Sequence, residues 1–468
     1  MRFLLPSLFV VLVGAYSTSG AVVVHRLDAD VLTPDIKTHA GTVHMVYGTS
    51  SKDAFYRQST DGGENWSVPL QLNTRGTCDS ALNDVCGSSR GAGDTCTSCL
   101  SMATFTHATI IRAAGCNGGD LTAFCRPTSE PAGKVTTTMG ERGPKLAVAA
   151  DGTHLHVVWM DLWYPGALTY VRAVHSEDGG RTWSAPVAAS DTHGIDGSTV
   201  AVDGTGTVIV LWHDLSHTTS DGQPVAKPAN SSEATWMYFV RSDDHGASFS
   251  FPSQRVQIVG GMPAATCSMC MMDAVRSVNG AISVVFRSGL NNIRDFYELT
   301  ASPPYTTNAW TPQRINEDQQ YQTTCPMNGP TITQAVDNGA LRVAAFTTGA
   351  TQPGQGFDTF AYWSTADAGG PWGMHVPTPN HERNERYPTA IVSGSGDDAV
   401  VLFVWQVGPM AVSGIAQVKY ALFHAVNGTA IRSPGKGSVV ELGTAFAGTK
   451  ATVWVGINGT FHIATTAK

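Results

Sequence analysis

The chain has 468 residues, of which 14% are charged and 42% are hydrophobic, and its formal net charge is −8. So few charges, together with 49 glycines, exclude a coiled coil and a charged disordered tail, while the hydrophobic fraction allows a large buried core. The slightly acidic balance gives no reason to expect nucleic acid or an anionic membrane as a partner.

The first residues have the features of a secretory signal peptide. Arg2 precedes an apolar run over residues 3–13, and the small residues Ser19 to Ala21 offer a cleavage point. An uncleaved anchor is the alternative. No later stretch reaches the roughly 18 apolar residues of a transmembrane helix, so we expect residues 1–21 to be removed and the chain to be secreted or to stay in an endomembrane lumen. Glycosylation acceptors that fit this route are Asn65, Asn230, Asn427 and Asn458.

The cysteines fall into two groups. Six lie in a segment at about 76–140 and are Cys78, Cys86, Cys96, Cys99, Cys116 and Cys125. In an oxidising compartment these six predict three disulfides of open connectivity. The other three, Cys267, Cys270 and Cys325, cannot all pair with one another. We therefore expect a disulfide-rich insertion and a separate environment for the remaining thiols.

Internal repetition is the strongest pattern in the chain. The string S-x-D-x-G-x-T/N-W occurs at 59–66 and 176–183, recurs with Phe for Trp at 242–249, and is degenerate around 364–372. Each copy follows a strand-like run. Its Ser and Asp side chains can bond nearby backbone amides and its Gly tolerates positive φ, which is typical of a hairpin turn.

A second pattern, two short apolar strands joined by a tight turn, precedes these turns. Its anchors recur about every 60 residues once the cysteine-rich stretch is set aside, and they are Pro34, Pro144, Ser198, Asp273, Pro330 and Pro388. Six units of four strands predict an all-β, six-bladed β-propeller over residues 22–468. A partial unit at 449–465 is expected to pair with Val22 to Val24 and so remove the open edges. Two stacked β-sandwiches are the alternative.

The repeated turns resemble the Asp boxes of the sialidase (neuraminidase) and BNR-repeat superfamily. The resemblance covers most of residues 22–468 and implies a sialidase-like propeller. It implies less about activity, because Asp boxes lie between third and fourth strands, away from the ligand mouth, and occur in glycosidases, lyases and non-enzymatic receptors. Residues 141–350 more loosely resemble BNR-repeat proteins with a cysteine cluster before the fourth inner strand.

The sialidase resemblance also implies a catalytic set: three arginines for the substrate carboxylate, a tyrosine nucleophile assisted by a glutamate, and an aspartate acid. Tyr387 matches the family tyrosine before the last inner strand, with Arg386 and Glu385 beside it, whereas Leu32 stands where the first family arginine is expected. Further candidates near inner-strand starts are the arginines Arg142 and Arg294, the base Glu141 and the acids Asp196 and Asp30. Structural arginines and a channel tyrosine bonded to Arg386 are the alternatives.

Soft donors also precede two neighbouring inner strands. Cys267, Cys270 and Met271 come before the fourth, and Cys325 and Met327 before the fifth. Three thiols with thioethers suit copper(I), or zinc through the thiolates alone. A disulfide from Cys325 to Cys267 or Cys270, a redox thiol, and simple packing of the methionines are the alternatives.

The sequence therefore leaves two alternative functions open. The first is a secreted sialidase-like glycoside hydrolase, or acidic-sugar-binding propeller, with a glycan or glycoconjugate ligand at the mouth. The second is a non-hydrolytic propeller with a soft-metal or redox thiol site there. The Arg386–Tyr387 pair favours the first, and Leu32 favours the second.

Overall fold

The computed structural model describes residues 10–13, 22–27, 30–73, 134–135, 143–163, 168–191, 195–214, 234–257, 265–268, 270–277, 279–307, 309–317, 319–322, 328–334, 341–349, 357–364, 370–377, 385–394, 398–408, 415–425, 430–431, 439–446, 451–456 and 459–466. The six cysteines of the predicted insertion and three of the glycosylation acceptors, Asn230, Asn427 and Asn458, lie outside these residues.

The described chain forms seven sheets, which we number as blades along the chain. Blade one comprises Leu32–His39, Thr42–Gly48, Ala54–Ser59 and Leu70–Gln71. Blade two comprises Lys145–Val148, Leu155–Trp163, Leu168–Ser176 and Val187–Ala188, with Lys134–Val135 as an added strand. Blade three comprises Ile195–Val202, Val208–Asp214, Ala234–Ser242 and Gln254–Arg255, with Ala265–Cys267 added.

The remaining four blades follow the same plan. Blade four comprises Asp273–Arg276, Ile282–Arg287, Phe296–Ala301 and Thr311–Arg314, with a 3-10 turn at Leu290–Asn292. Blade five comprises Thr331–Gln334, Arg342–Gly349, Phe357–Ser364 and Met374–Pro377. Blade six comprises Glu385–Ser393, Val400–Val407, Ile415–His424 and Ala430–Ile431, with Val440–Phe446 added. Blade seven comprises Thr452–Val455, Phe461–Thr466, Val22–Leu27 and Val10–Val13. The last of these strands lies within the predicted signal peptide, so a chain cleaved there would keep three strands in blade seven.

The β-propeller prediction is confirmed, but the predicted number of blades is wrong, because there are seven and not six. The expected pairing of N- and C-terminal strands is present, with Val22 opposite Phe461 in parallel register. These strands do not complete the sixth blade. They belong to a sheet of their own, whose inner strand Thr452–Val455 contacts the inner strands of blades six and one.

The core lies between adjacent blades. Second strands packed on both faces are continuous buried runs instead of alternating ones, as in Val208–Asp214 and in Val400–Val407 up to Gln406. Inner strands are joined across the blades by side-chain bonds to the backbone. A carboxylate oxygen of Asp35 accepts the amide of Leu146 at 2.8 Å, and the Asp273 carboxylate accepts the amide of Ile332 at 3.1 Å.

Four charges from three blades meet in the central channel. Lys37 Nζ lies 3.6 Å from Asp35, and Lys145 Nζ lies 4.0 Å from Asp273. Burial of Lys37 opposes its charge, but the carboxylates of Asp35 and Asp273 outweigh burial and raise the pKa of Lys37 above its usual value. The two lysines and the two aspartates therefore compensate one another's charges within the channel.

The repeated turns have the predicted hydrogen bonds. In the turn of blade two, Ser176 Oγ donates to Asp178 at 2.9 Å and accepts the amide of Gly180 at 2.8 Å, while Asp178 accepts the amide of Thr182. Each turn packs on the preceding blade, since Gly180 lies against the Tyr56 hydroxyl of blade one. We call the segments 59–66, 176–183 and 242–249 the box turns.

Gly180→Ala is expected to lower the free energy of unfolding by about 3 kcal/mol. Gly180 has φ +88°, and an added Cβ would overlap the Tyr56 hydroxyl. Gly179→Ala is the matched control, because Gly179 also has positive φ (+73°) but its Cβ would meet nothing closer than 3.8 Å; that change should cost about 1 kcal/mol. Urea unfolding measures both values, and equal losses would mean that packing on blade one is unimportant.

Candidate functional site at the channel mouth

The channel mouth is the face of the ring at which the inner strands begin. In blades one, three and six the inner strand begins with the same bulge, between Leu32 and Asp35, Asp196 and Thr199, and Arg386 and Thr389. Within these bulges the backbone has positive φ at Thr33, Gly197 and Tyr387, with values of 48°, 58° and 47°. Leu32, Asp196 and Arg386 therefore occupy equivalent positions at the mouth.

Arg386 is the most unusual of these residues. It is only 4% exposed, and its Nε and Nη2 atoms have no hydrogen-bond partner among the described residues. Burial lowers the pKa of Arg386, while the neighbouring Tyr387 acts in the opposite direction. Since a buried guanidinium without an acceptor is costly, this side chain is suited to an anionic ligand that supplies the missing acceptors.

Tyr387 has a strained backbone. Its φ of 47° lies in the left-handed region, where the equivalent residue of blade three is a glycine, Gly197. A bulky residue there costs on the order of 1 kcal/mol or more. Such strain is found most often at functional sites, and here it places a tyrosine directly beside Arg386.

Glu385 is completely buried and faces blade five. Its Oε2 atom accepts hydrogen bonds from the Thr359 amide at 3.1 Å and from the Thr359 hydroxyl at 3.3 Å. The carboxylate is thus held by the neighbouring blade. Asp30, at the start of blade one, is exposed and accepts the Ser50 amide at 2.9 Å.

Arg294 lies in blade four beside an arginine that the sequence analysis missed. Arg294 is fully buried, donates from Nε to the Gln322 carbonyl at 3.0 Å, and has no partner for Nη1 in the described part of the chain. Arg287, at the end of the second strand, is also fully buried and donates to the carbonyls of Asn328, Arg294 and Thr347. Arg287 therefore joins blades four and five, whereas Arg294 keeps one donor available.

The predicted sulfur site is described in part. Cys267 and Cys270 are buried with their Sγ atoms 3.4 Å apart, and Met271 is buried as well. The carbonyl of Cys270 packs against Gly197 of blade three. Within the described ranges no three His, Cys, Asp or Glu side chains are arranged to hold a metal ion. Copper or zinc at this position stays a prediction.

Four predicted site residues, Glu141, Arg142, Cys325 and Met327, lie outside the described residues. For Asp196 the backbone is described and the side chain is not. The insertion is represented by Lys134–Val135, which pairs with Leu162 and Asp161 at the mouth end of the second strand of blade two. Among the described residues no helix is long and apolar enough to cross a membrane.

No protein-family profile and no curated sequence matches the chain. Among solved structures it is similar to an α-L-arabinanase of Penicillium chrysogenum, with 12% identity and a TM-score of 0.46 over 86% of this chain and 96% of that one. A Hadza microbial sialidase is 12% identical, with a TM-score of 0.44 over 81% of this chain and 63% of its own. The Trypanosoma rangeli sialidase is 9% identical, with a TM-score of 0.43 over 86% and 58%. The chain spans less than two thirds of these two sialidase chains.

Proposed function

We propose that the chain is a secreted glycoside hydrolase of sialidase type that binds an acidic sugar at the channel mouth. The observation that carries the proposal is Arg386, a buried guanidinium with two nitrogen atoms that lack acceptors among the described residues. A sugar carboxylate would supply two acceptor oxygens in the planar arrangement that a guanidinium prefers. The Nη1 atom of Arg294, which has no partner among the described residues, would be a further donor, from the loop after the second strand of blade four, and Arg142 is the third arginine of the proposal.

In this proposal the Tyr387 oxygen attacks the anomeric carbon. A phenolic nucleophile is suitable, because an anionic carboxylate would be repelled by the carboxylate of the substrate. The phenol proton passes to Glu385 or Glu141, and the leaving oxygen takes a proton from Asp196 or Asp30. Water then displaces the Tyr387 oxygen from the sugar: the departing phenolate takes back the proton held by the glutamate, and the attacking water gives its proton to the aspartate.

Tyr387→Phe is expected to reduce turnover of a fluorogenic sialoside by about a thousandfold, because it removes only the attacking oxygen. Tyr420→Phe is the matched control, since Tyr420 is a buried tyrosine in the third strand of the same blade, and it should keep its activity. Absence of wild-type turnover across several acidic sugars would overturn the proposal of hydrolysis.

A non-hydrolytic acidic-sugar-binding propeller is the second candidate, because the incomplete arginine set weakens the case for hydrolysis. Leu32 occupies in blade one the position that Arg386 occupies in blade six, so the mouth lacks a cation there. Calorimetric titration with free acidic sugars separates the two candidates. Binding that disappears in Arg386→Met, without turnover by the wild type, would support this second function.

A further inference from the structure

The second strands of blades seven, one and two carry a buried histidine at one equivalent position. By their register with the inner strands these residues are His462, His44 and His156. None of them is more than 4% exposed. The same position in blades three to six is occupied by Ile209, Ser283, Val343 and Leu402. Three consecutive blades are therefore distinguished from the other four.

Each of these histidines belongs to the surface on which the next box turn packs. A Cβ on Gly63 would lie 2.6 Å from the Trp454 ring, which stacks on His462 at 4.9 Å. Gly180 lies against Tyr56, whose hydroxyl is 2.7 Å from His44 Nδ1.

The third interface is built in the same way. A Cβ on Gly246 would lie 3.1 Å from His156 Nδ1. The interfaces between blades seven and one, one and two, and two and three thus all contain a buried imidazole.

The surroundings of these imidazoles disfavour a positive charge. His462 Nδ1 is 2.8 Å from Nε2 of His25, which is also buried, so both rings cannot be protonated together. Burial is the main cause that lowers the pKa of His25, His44 and His462 to about 4, and His39 adds to the effect on His44. The ionisable groups near the His44–Tyr56 pair also include Asp178 of the next blade.

His156 has the least favourable surroundings. Neither of its ring nitrogens has a hydrogen-bond partner in the part of the chain that is described. Burial, followed by the nearby His175, His154 and His245, lowers the pKa of His156 to about 3. Asp151, whose negative charge would favour a protonated His156, already bonds His154 Nδ1 at 2.5 Å. The Glu177 carboxylate lies 3.8 Å from His175, with which it forms an ion pair instead.

We propose that blades seven, one and two, with the box turn of blade three, form an acid-sensitive sector of the ring that opens when its interface histidines take up protons. Opening there would separate blade one, whose inner strand places Leu32 at the mouth, from blade three, whose inner strand places Asp196 there. Blades four to six, which have no histidine at this position, stay packed. The inference does not depend on the proposed function.

The direction of the pH effect follows from the two protonation states. In the open sector the imidazoles have the ordinary pKa of about 6.5, and in the closed ring the value is about 4 or lower. Above pH 6.5 both states are neutral and the sector is fully stable. As the pH falls from 6.5 towards 4, the open state gains protons that the closed state rejects, so the sector is progressively lost.

Hydrogen exchange of the wild-type protein at pH 7 and pH 4.5, corrected for the intrinsic rate, tests the proposal. The second strands of the sector, Thr42–Gly48, Leu155–Trp163 and Phe461–Thr466, should lose protection at least about tenfold. The matched second strands Ile282–Arg287, Arg342–Gly349 and Val400–Val407 should keep it. Equal loss in both sets, or no loss in the first, would overturn the proposal.

Substitutions give a second test. His44→Gln and His156→Met remove titratable groups and should move the acid midpoint of the protection loss down by about half a pH unit. His424→Gln is the control, because His424 is exposed on blade six, and it should leave the midpoint unchanged. An unchanged midpoint in both sector variants contradicts the proposal, and if a variant does not fold, the wild-type exchange pattern decides.

Discussion

Arg342→Met is expected to lower the free energy of unfolding by about 4 kcal/mol. Arg342 and Glu298 are both fully buried and form an ion pair between blades five and four. Glu298 also accepts hydrogen bonds from Ser283 and, at 3.0 Å, from Trp372 Nε1. Removal of the arginine would leave a buried carboxylate without its counter-charge, which costs far more than the net value of the pair. Urea unfolding at pH 7 measures the loss.

Two further variants show whether the loss comes from the uncompensated charge. Glu298→Gln combined with Arg342→Met should recover much of the stability, because the double change removes both charges together. Arg241→Met breaks a partly exposed pair with Asp243, and a hydrogen bond to the Pro304 carbonyl, and should cost about 1 kcal/mol. A double variant no more stable than Arg342→Met would show that the loss has another cause.

The same ion pair accounts for how the irregular turn of blade five packs on blade four. Its Trp372 lies against the Arg342 guanidinium, 4.5 Å from the ring centroid, and Arg342 also donates to the Gly370 carbonyl. In the box turns a buried glycine amide bonds the first serine, as Gly63 does with Ser59 at 2.9 Å. A charged pair with the preceding blade therefore takes over part of the contact that the regular turns make through glycine.

Turn chemistry and spacing predicted most of the fold. The turn signals at Pro34, Asp273 and Pro388 predict inner strands, because each signal depends on only a few neighbouring residues. In the structure all three residues lie within inner strands. The sequence predicts the pairing of Val22 to Val24 with the C-terminal partial unit, and the structure has it, in parallel register with Phe461–Thr466. The predicted number of blades is wrong because this pairing forms a separate seventh sheet, whereas the spacing of the turn signals counts only six full units.

The sequence also identifies part of the candidate site, but not the contacts that join different blades. The sialidase resemblance singled out Arg386 and Tyr387 at the start of the last full blade, and both residues lie at the start of that inner strand. The bond from Thr359 to Glu385 and the carbonyls bound by Arg287 join different blades. Their partners follow from packing in three dimensions, so a buried connecting arginine and a ligand-binding one look alike in the sequence.

Arg386→Met should have the opposite effect on stability to Arg342→Met. Arg386 is buried, and its Nε and Nη2 lack acceptors among the described residues, so methionine would remove a desolvated charge and keep most of the apolar contact. We expect the free energy of unfolding to rise by about 1 to 2 kcal/mol in urea. Binding of an acidic sugar should fall by about a hundredfold or more in calorimetric titration.

The combination of the two results is what distinguishes a ligand-binding arginine from a connecting one. A connecting arginine stabilises the folded chain, whereas a ligand-binding one is retained at a cost to stability that the ligand offsets. Arg386→Lys is the control, because it keeps the charge and loses the planar two-point contact, and it should weaken binding without the gain in stability. If Arg386→Met instead destabilises the protein by as much as Arg342→Met, Arg386 is a structural residue and the proposed anion site is wrong.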